Sequence, residues 1–106
     1  MPWLLLIAAG LLEIVWALTM KLSMGFTRLG ASVVTVLAML ASFGLLSISM
    51  RSLPLGTAYT VWTGIGAVGA FVVGVFALGE PVNSGRVIAA VLIVAGLILM
   101  KLSTAD

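Results

Sequence analysis

Four apolar runs, each long enough to cross a membrane, take up nearly all of this 106-residue chain. A hydrocarbon core of ~30 Å requires about 20 apolar residues in helical form. The first run covers residues 3–20 and ends at Lys21; the second covers 31–50 and is closed by Arg51. The third covers 57–78, and the fourth covers 85–101 and ends at Lys101. The segments between them are short: Ser23-Met24-Gly25-Phe26-Thr27-Arg28, Pro54-Leu55-Gly56 and Gly79-Glu80-Pro81-Val82-Asn83-Ser84. Pro and Gly together break a helix, so these are turns. Only 8% of the residues are charged, whereas a soluble domain carries about 25%. The solvent for this surface is therefore lipid. In lipid every backbone polar group must be satisfied within its own segment, which selects helices. The expected fold is an all-α membrane protein with four transmembrane helices in one domain over residues 1–106, running up and down.

A cleavable leader is the competing reading of the first run, because Ala8-Ala9-Gly10 faintly resembles a cleavage site. No Lys or Arg precedes it and the apolar run resumes after Glu13, so a first membrane span fits better. The chain has no cysteine and no histidine. That removes disulfides, thiolate sites and the commonest metal ligand and general base. No metal or cofactor is expected. The net charge of +2 rests on five basic and three acidic residues. This is no basic patch, and nucleic acid is not an expected partner.

Glu13 is the one charge in the middle of any run. At 1.5 Å per residue it lies roughly 18 Å into its helix, near mid-membrane. An acid in hydrocarbon is costly and marks a functional site by default. It can be neutralised by a proton or by a cation, and the two compete for it. That competition is the minimal machinery of proton-coupled cation antiport. The alternative is a protonated glutamate satisfied by a neighbouring helix.

Around it, Gly10, Trp16, Ala17 and Met20 share the Glu13 face at helical spacing. Gly10 leaves room beside the carboxylate, and Trp16 offers an aromatic wall and one indole donor. Trp3 is the better candidate for the interfacial belt. In the third run Tyr59, Trp62 and Thr63 are stacked one turn apart, each with a hydrogen-bonding tip. Aromatic faces suit cations and polar tips can fix a carboxylate. Ser42 and Ser47 are the polar candidates of the second run, although membrane serines more often bond their own helix.

Residues 64–69, Gly-Ile-Gly-Ala-Val-Gly, match G-x-G-x-x-G. The dinucleotide reading fails, because that motif needs a strand before it and a polar βαβ context. Small residues that let helices approach are the better account, with Gly66, Ala70 and Gly74 at four-residue spacing. The clustered glycines Gly64, Gly66 and Gly69 also make a flexing point. Gly96 in the fourth run is a candidate for close helix contact.

Two further expectations concern assembly. Four helices barely enclose a solute path, so a homodimer with its site at the subunit interface is the economical solution. Loops one and three carry Lys21, Arg28 and Arg86, against Arg51 and Lys101 on the other side. Three against two gives almost no orientation instruction. Dual insertion, and with it an antiparallel dimer, is as consistent with this count as a single orientation.

Taken together, Gly10 and Glu13, Lys21 to Arg28, and Pro54-Leu55-Gly56-Thr57-Ala58-Tyr59 resemble the small multidrug resistance family over essentially the whole chain. Trp16 and residues 57–67 look like the guanidinium-exporter subtype; the multidrug subtype usually has glycine at the first position and serine where this chain has Thr63. Thr60 departs from the alanine frequent in the family, with little expected effect. The resemblance implies an antiparallel homodimer in a bacterial inner membrane that exports guanidinium in exchange for protons. It implies that Glu13 of both subunits binds cation or protons, and that Trp16, Ser42, Tyr59 and Trp62 orient the carboxylates. It further implies that residues 64–69 flex and that span four, with Gly96, holds the dimer. The chemistry agrees, since guanidinium presents a donor fork that matches carboxylates.

Two rival readings stay open on sequence alone. One is a broad multidrug exporter of quaternary ammonium or substituted guanidinium compounds. The other is a membrane scaffold in which Glu13 carries no transport role. An enzyme is least favoured, because no nucleophile–base pair or metal set exists.

Overall fold

The computed structural model describes residues 2–103; Met1 and residues 104–106, the ends of the expected single domain, lie outside the described residues. Four helices follow in order: α1 (Pro2–Leu22), α2 (Leu29–Ser49), α3 (Leu55–Leu78) and α4 (Ser84–Ser103). Each is long and apolar enough to cross a membrane. They exceed the apolar runs by one or two residues at most ends, because a helix continues until its caps stop it. Gly79 stops α3 in the left-handed conformation, φ 68°, and the Glu80 amide reaches back to the Gly74 carbonyl at 3.0 Å. Asn83 starts α4 by accepting the Arg86 amide on its side-chain oxygen at 2.9 Å. This is the N-cap role that Asn suits.

Loop one is built on Ser23, which is fully buried. Its hydroxyl donates to the Met20 carbonyl at 2.7 Å and accepts the Phe26 amide at 3.0 Å. Met24, Gly25 and Phe26 all take positive φ, 51°, 76° and 67°. Such a run is rare outside glycine, and the bonds to Ser23 hold it.

The molecule is a slab of 43 × 34 × 16 Å, not a closed bundle. Helix α1 lies between α2 and α3, and α4 packs its backbone against α3 alone. The buried apolar cluster of Leu6, Ala9, Leu46, Leu53, Ala58, Val61 and Trp62 gathers at the loop-two end. There Lys101 of α4 also sits 4.5 Å from the Trp3 ring centre of α1. No residue of α4 is buried within the chain.

Hydroxyls fasten α1 to α2. Thr35, Ser42 and Ser49 are all fully buried and stand seven residues apart, on one face of α2. The Thr35 hydroxyl lies 2.6 Å from that of Thr19. Ser42 donates to the Ala9 carbonyl at 2.7 Å, and Ser49 lies 3.2 Å from the Pro2 carbonyl. A seven-residue spacing keeps one face turned to a partner helix at a shallow crossing.

Helices α1 and α3 approach by a different device, glycine against a bulky side chain. A Cβ on Gly10 would meet Ile65 at 2.6 Å. One on Gly69 would collide with Ile14, and one on Gly66 with the Glu13 carboxyl group. Close approach through small residues is the membrane substitute for hydrophobic attraction between helices.

Candidate functional site

Glu13 projects from the middle of α1 toward α3, half-buried, with its carboxyl group lying on the bare backbone of Gly66. Its Oε1 is buried and has no hydrogen-bond partner among the described residues. The indole nitrogen of Trp16, one turn further along α1, is likewise buried and unpartnered. A polar group left so costs about 1–3 kcal/mol, and a charge at mid-membrane costs roughly 3 kcal/mol by insertion scales. A donor or cation at the carboxylate removes the first cost, whereas the Trp16 N–H requires an acceptor.

Next to the carboxylate lies a polar relay through all three packed helices. Trp62 of α3 donates its indole N–H to the Ser42 hydroxyl at 3.0 Å, and Ser42 donates to the Ala9 carbonyl of α1. Ser42 therefore bonds across helices, not to its own helix as the commoner pattern for membrane serines predicts. The relay fixes the Trp62 ring one turn before Gly66.

Aromatic rings continue the wall. Tyr59 lies 5.7 Å from Trp62 between ring centres, Trp62 5.6 Å from Phe43, and Phe43 6.3 Å from Trp16, edge to face. These separations suit aromatic pairs. Phe43, a residue that sequence reasoning passed over, joins the two tryptophans. Its neighbour Ser42 was the available signal, since adjacent positions on α2 serve the same wall.

Other expected residues fall elsewhere. Thr63 is exposed and, with Tyr59, Gly64 and Gly96, lines a groove of about 430 Å³ between α3 and α4. It is not beside Glu13. Ser47 is exposed as well. Gly96 has open space where a Cβ would stand; the close contact of α4 with α3 is made by Leu97 on Gly64. Helix α3 is continuous through Gly64, Gly66 and Gly69, each of which receives a side chain of another helix.

Beyond Ile14 the space between α1 and α3 widens to a cavity of about 170 Å³. It is lined by Ala17, Leu18, Ala70 and Val73, and reaches Lys21 and Glu80 near loops one and three. The packed cluster thus lies on the loop-two side of Glu13, and the looser space on the other. Among the described residues no group of His, Cys, Asp or Glu could hold a metal ion.

The sequence profile described as Small Multidrug Resistance protein matches residues 1–94. A guanidinium exporter of Citrobacter freundii is 55% identical over 104 residues, covering 98% of this chain and 99% of that protein. The guanidinium exporter of Salmonella typhimurium matches to the same extent. That of Escherichia coli (strain K12) is 56% identical over 104 residues, with the same coverage. With four membrane-length helices and a mid-span carboxylate already in place, an end-to-end match of this depth settles the family. The chain belongs to the small multidrug resistance family of membrane transporters.

Proposed function

We propose that this protein is a proton-coupled antiporter that exports guanidinium and small guanidinyl cations across a bacterial inner membrane. The observation that carries the substrate is the 55–56% identity, over 98% of the chain, to relatives named guanidinium exporters. The site supports it. Glu13 offers a carboxylate, and the Trp62 ring is held one turn before Gly66 with its N–H committed to Ser42, so that its flat face is what it can offer a cation. A planar cation with a donor fork suits such a cage.

The working unit is an antiparallel homodimer. One chain leaves Glu13 Oε1 and the Trp16 indole unpartnered, and leaves α4 with no buried residue. A second copy can cover the open face of α4. In this unit Glu13 from each subunit holds either protons or cation. Gly10 and Gly66 make room for it, and the Trp62–Ser42 relay and Trp16 orient it. Tyr59 and Thr63 flank the path, and residues 64–69 flex as access alternates. Because proton and cation share the carboxylates, guanidinium affinity rises with pH.

The test uses purified protein alone in liposomes. A guanidinium gradient is expected to drive proton movement in the opposite direction, and a proton gradient to drive guanidinium uptake. Transport of tetraalkylammonium ions with none of guanidinium would establish the multidrug reading instead. Guanidinium flux with no proton movement would overturn the antiport.

A further inference from the structure

Three glycines of α3 touch other helices through residues 64–69, but Gly66 alone among them faces a polar group. A Cβ at this position would overlap Oε1 and Cδ of Glu13 and would stand 2.7 Å from its Cγ. The Oε1 atom in that contact is the buried, unpartnered one. The α3 helix is unbroken here, so the missing side chain is not used for a bend in this structure. The neighbouring contacts, Ile65 on Gly10 and Ile14 on Gly69, lock the register of α1 against α3 on either side. Register, carboxyl position and absent Cβ are therefore one arrangement.

We infer that Gly66 is a positioning residue: it is the seat that sets the depth of the Glu13 carboxylate in the site. This inference rests on the reading of Glu13 as the shared point for proton and cation. With a Cβ in the seat, the side chain has to swing out of its rotamer or α1 has to move off α3. Either displaces the carboxylate from its place over the Gly66 backbone. A glycine that serves only as a hinge has no such dependence on the length of residue 13.

Length compensation separates the two roles. Glu13→Asp removes one methylene, so that no atom reaches the Oε1 position and the carboxyl carbon takes the place of Cγ, where a softer contact with the added Cβ remains. Four proteins are compared in liposomes: the unaltered chain, Gly66→Ala, Glu13→Asp and the double variant. Guanidinium dissociation constants and the pH midpoint of guanidinium-induced proton release are measured for each. Gly66→Ala is expected to weaken guanidinium binding roughly tenfold or more and to move the midpoint. The double variant is expected to recover part of both, so that its loss is smaller than the product of the two single losses.

Failure of the unaltered chain to bind guanidinium would strike the functional reading, not the seat. With that binding intact, a harmless Gly66→Ala would overturn the inference. So would losses that multiply in the double variant. If Gly66→Ala does not fold, helix content and elution as a single species are compared for Gly66→Ala/Glu13→Ala. Recovery of folding once the carboxylate is gone supports the seat, and continued failure overturns it.

Discussion

At the scale of single residues, the proposed transport chemistry is tested first at Glu13 and at what holds it. Replacing it with glutamine keeps the shape and removes the exchangeable proton. Glu13→Gln is expected to fold with unchanged helix content and to lose guanidinium-driven proton movement entirely; robust coupled flux from this variant would remove Glu13 from the mechanism. Trp16 is the second residue to change. Its indole nitrogen is unpartnered and its ring stands edge-on to Phe43. Trp16→Gly opens the wall, so guanidinium transport should weaken by roughly tenfold while bulkier cations gain. An unchanged substrate profile in the same flux assay would leave Trp16 with a packing role only. Glu13 stands out in the sequence because it is the one charge in the middle of an apolar run, where an acid is costly. The Trp62 indole was legible as a donor, but its acceptor was not, because a serine's partner depends on which helix lies across from it. The role of Gly66 was hidden for a related reason. Its pattern with Ala70 and Gly74 announces close approach without saying what approaches, and here the neighbour is the carboxyl group itself.

Among the helices, the two sides of α1 are held by different means. On the α2 side buried hydroxyls recur every seven residues, and on the α3 side glycines receive Glu13 and Ile14 while Gly10 receives Ile65. Hydrogen bonds between membrane helices are worth about 0.6 kcal/mol on average and up to ~1.7. Ser42 joins two such bonds, and Ser49 has its own helix's Leu45 carbonyl at 3.0 Å as an alternative. Ser42→Ala should therefore cost about 1–2 kcal/mol, since it also strands the Trp62 N–H, and Ser49→Ala about 0.5 kcal/mol. Reversible unfolding in mixed micelles measures both, and equal costs would mean that the Ser42 relay adds nothing beyond one ordinary contact. The number and limits of the helices were legible because Lys21, Arg51, Pro54 and Gly79 punctuate the apolar runs. Their arrangement was not. In lipid all faces of a helix are apolar, so no contrast of hydrophobicity marks which side of α1 meets α2 or leaves α4 at the edge. The seven-residue spacing of Thr35, Ser42 and Ser49 was the signal available for the α1–α2 face.

For the molecule as a whole, the balance of charge across the membrane bears on how the slab is completed. Loops one and three carry three basic residues, and loop two with the C-terminal tail carries two. Chains that insert both ways supply both halves of an antiparallel dimer, and chains forced one way supply only one. Adding two or three lysines to the tail should bias insertion, because basic residues near a span end are retained on the cytoplasmic side. In cells making only that variant, guanidinium resistance should fall. Co-expressing a second variant biased the opposite way should restore it, although neither protein is active alone. The protein has no cysteine, so one engineered in loop one reports orientation by its accessibility from each side of the membrane. The unaltered protein is expected to label from both sides, and each biased variant from one. If the unaltered protein labels from one side and the biased variant is fully active by itself, the dimer is parallel. Two equivalent Glu13 residues would then open to the same side together, and exchange would require both subunits to rearrange at once. In the antiparallel dimer the two halves can instead trade conformations, so that each outward-facing state is the inward-facing one turned over. That symmetry is why small shifts in the balance of basic residues are expected to govern activity without touching the site.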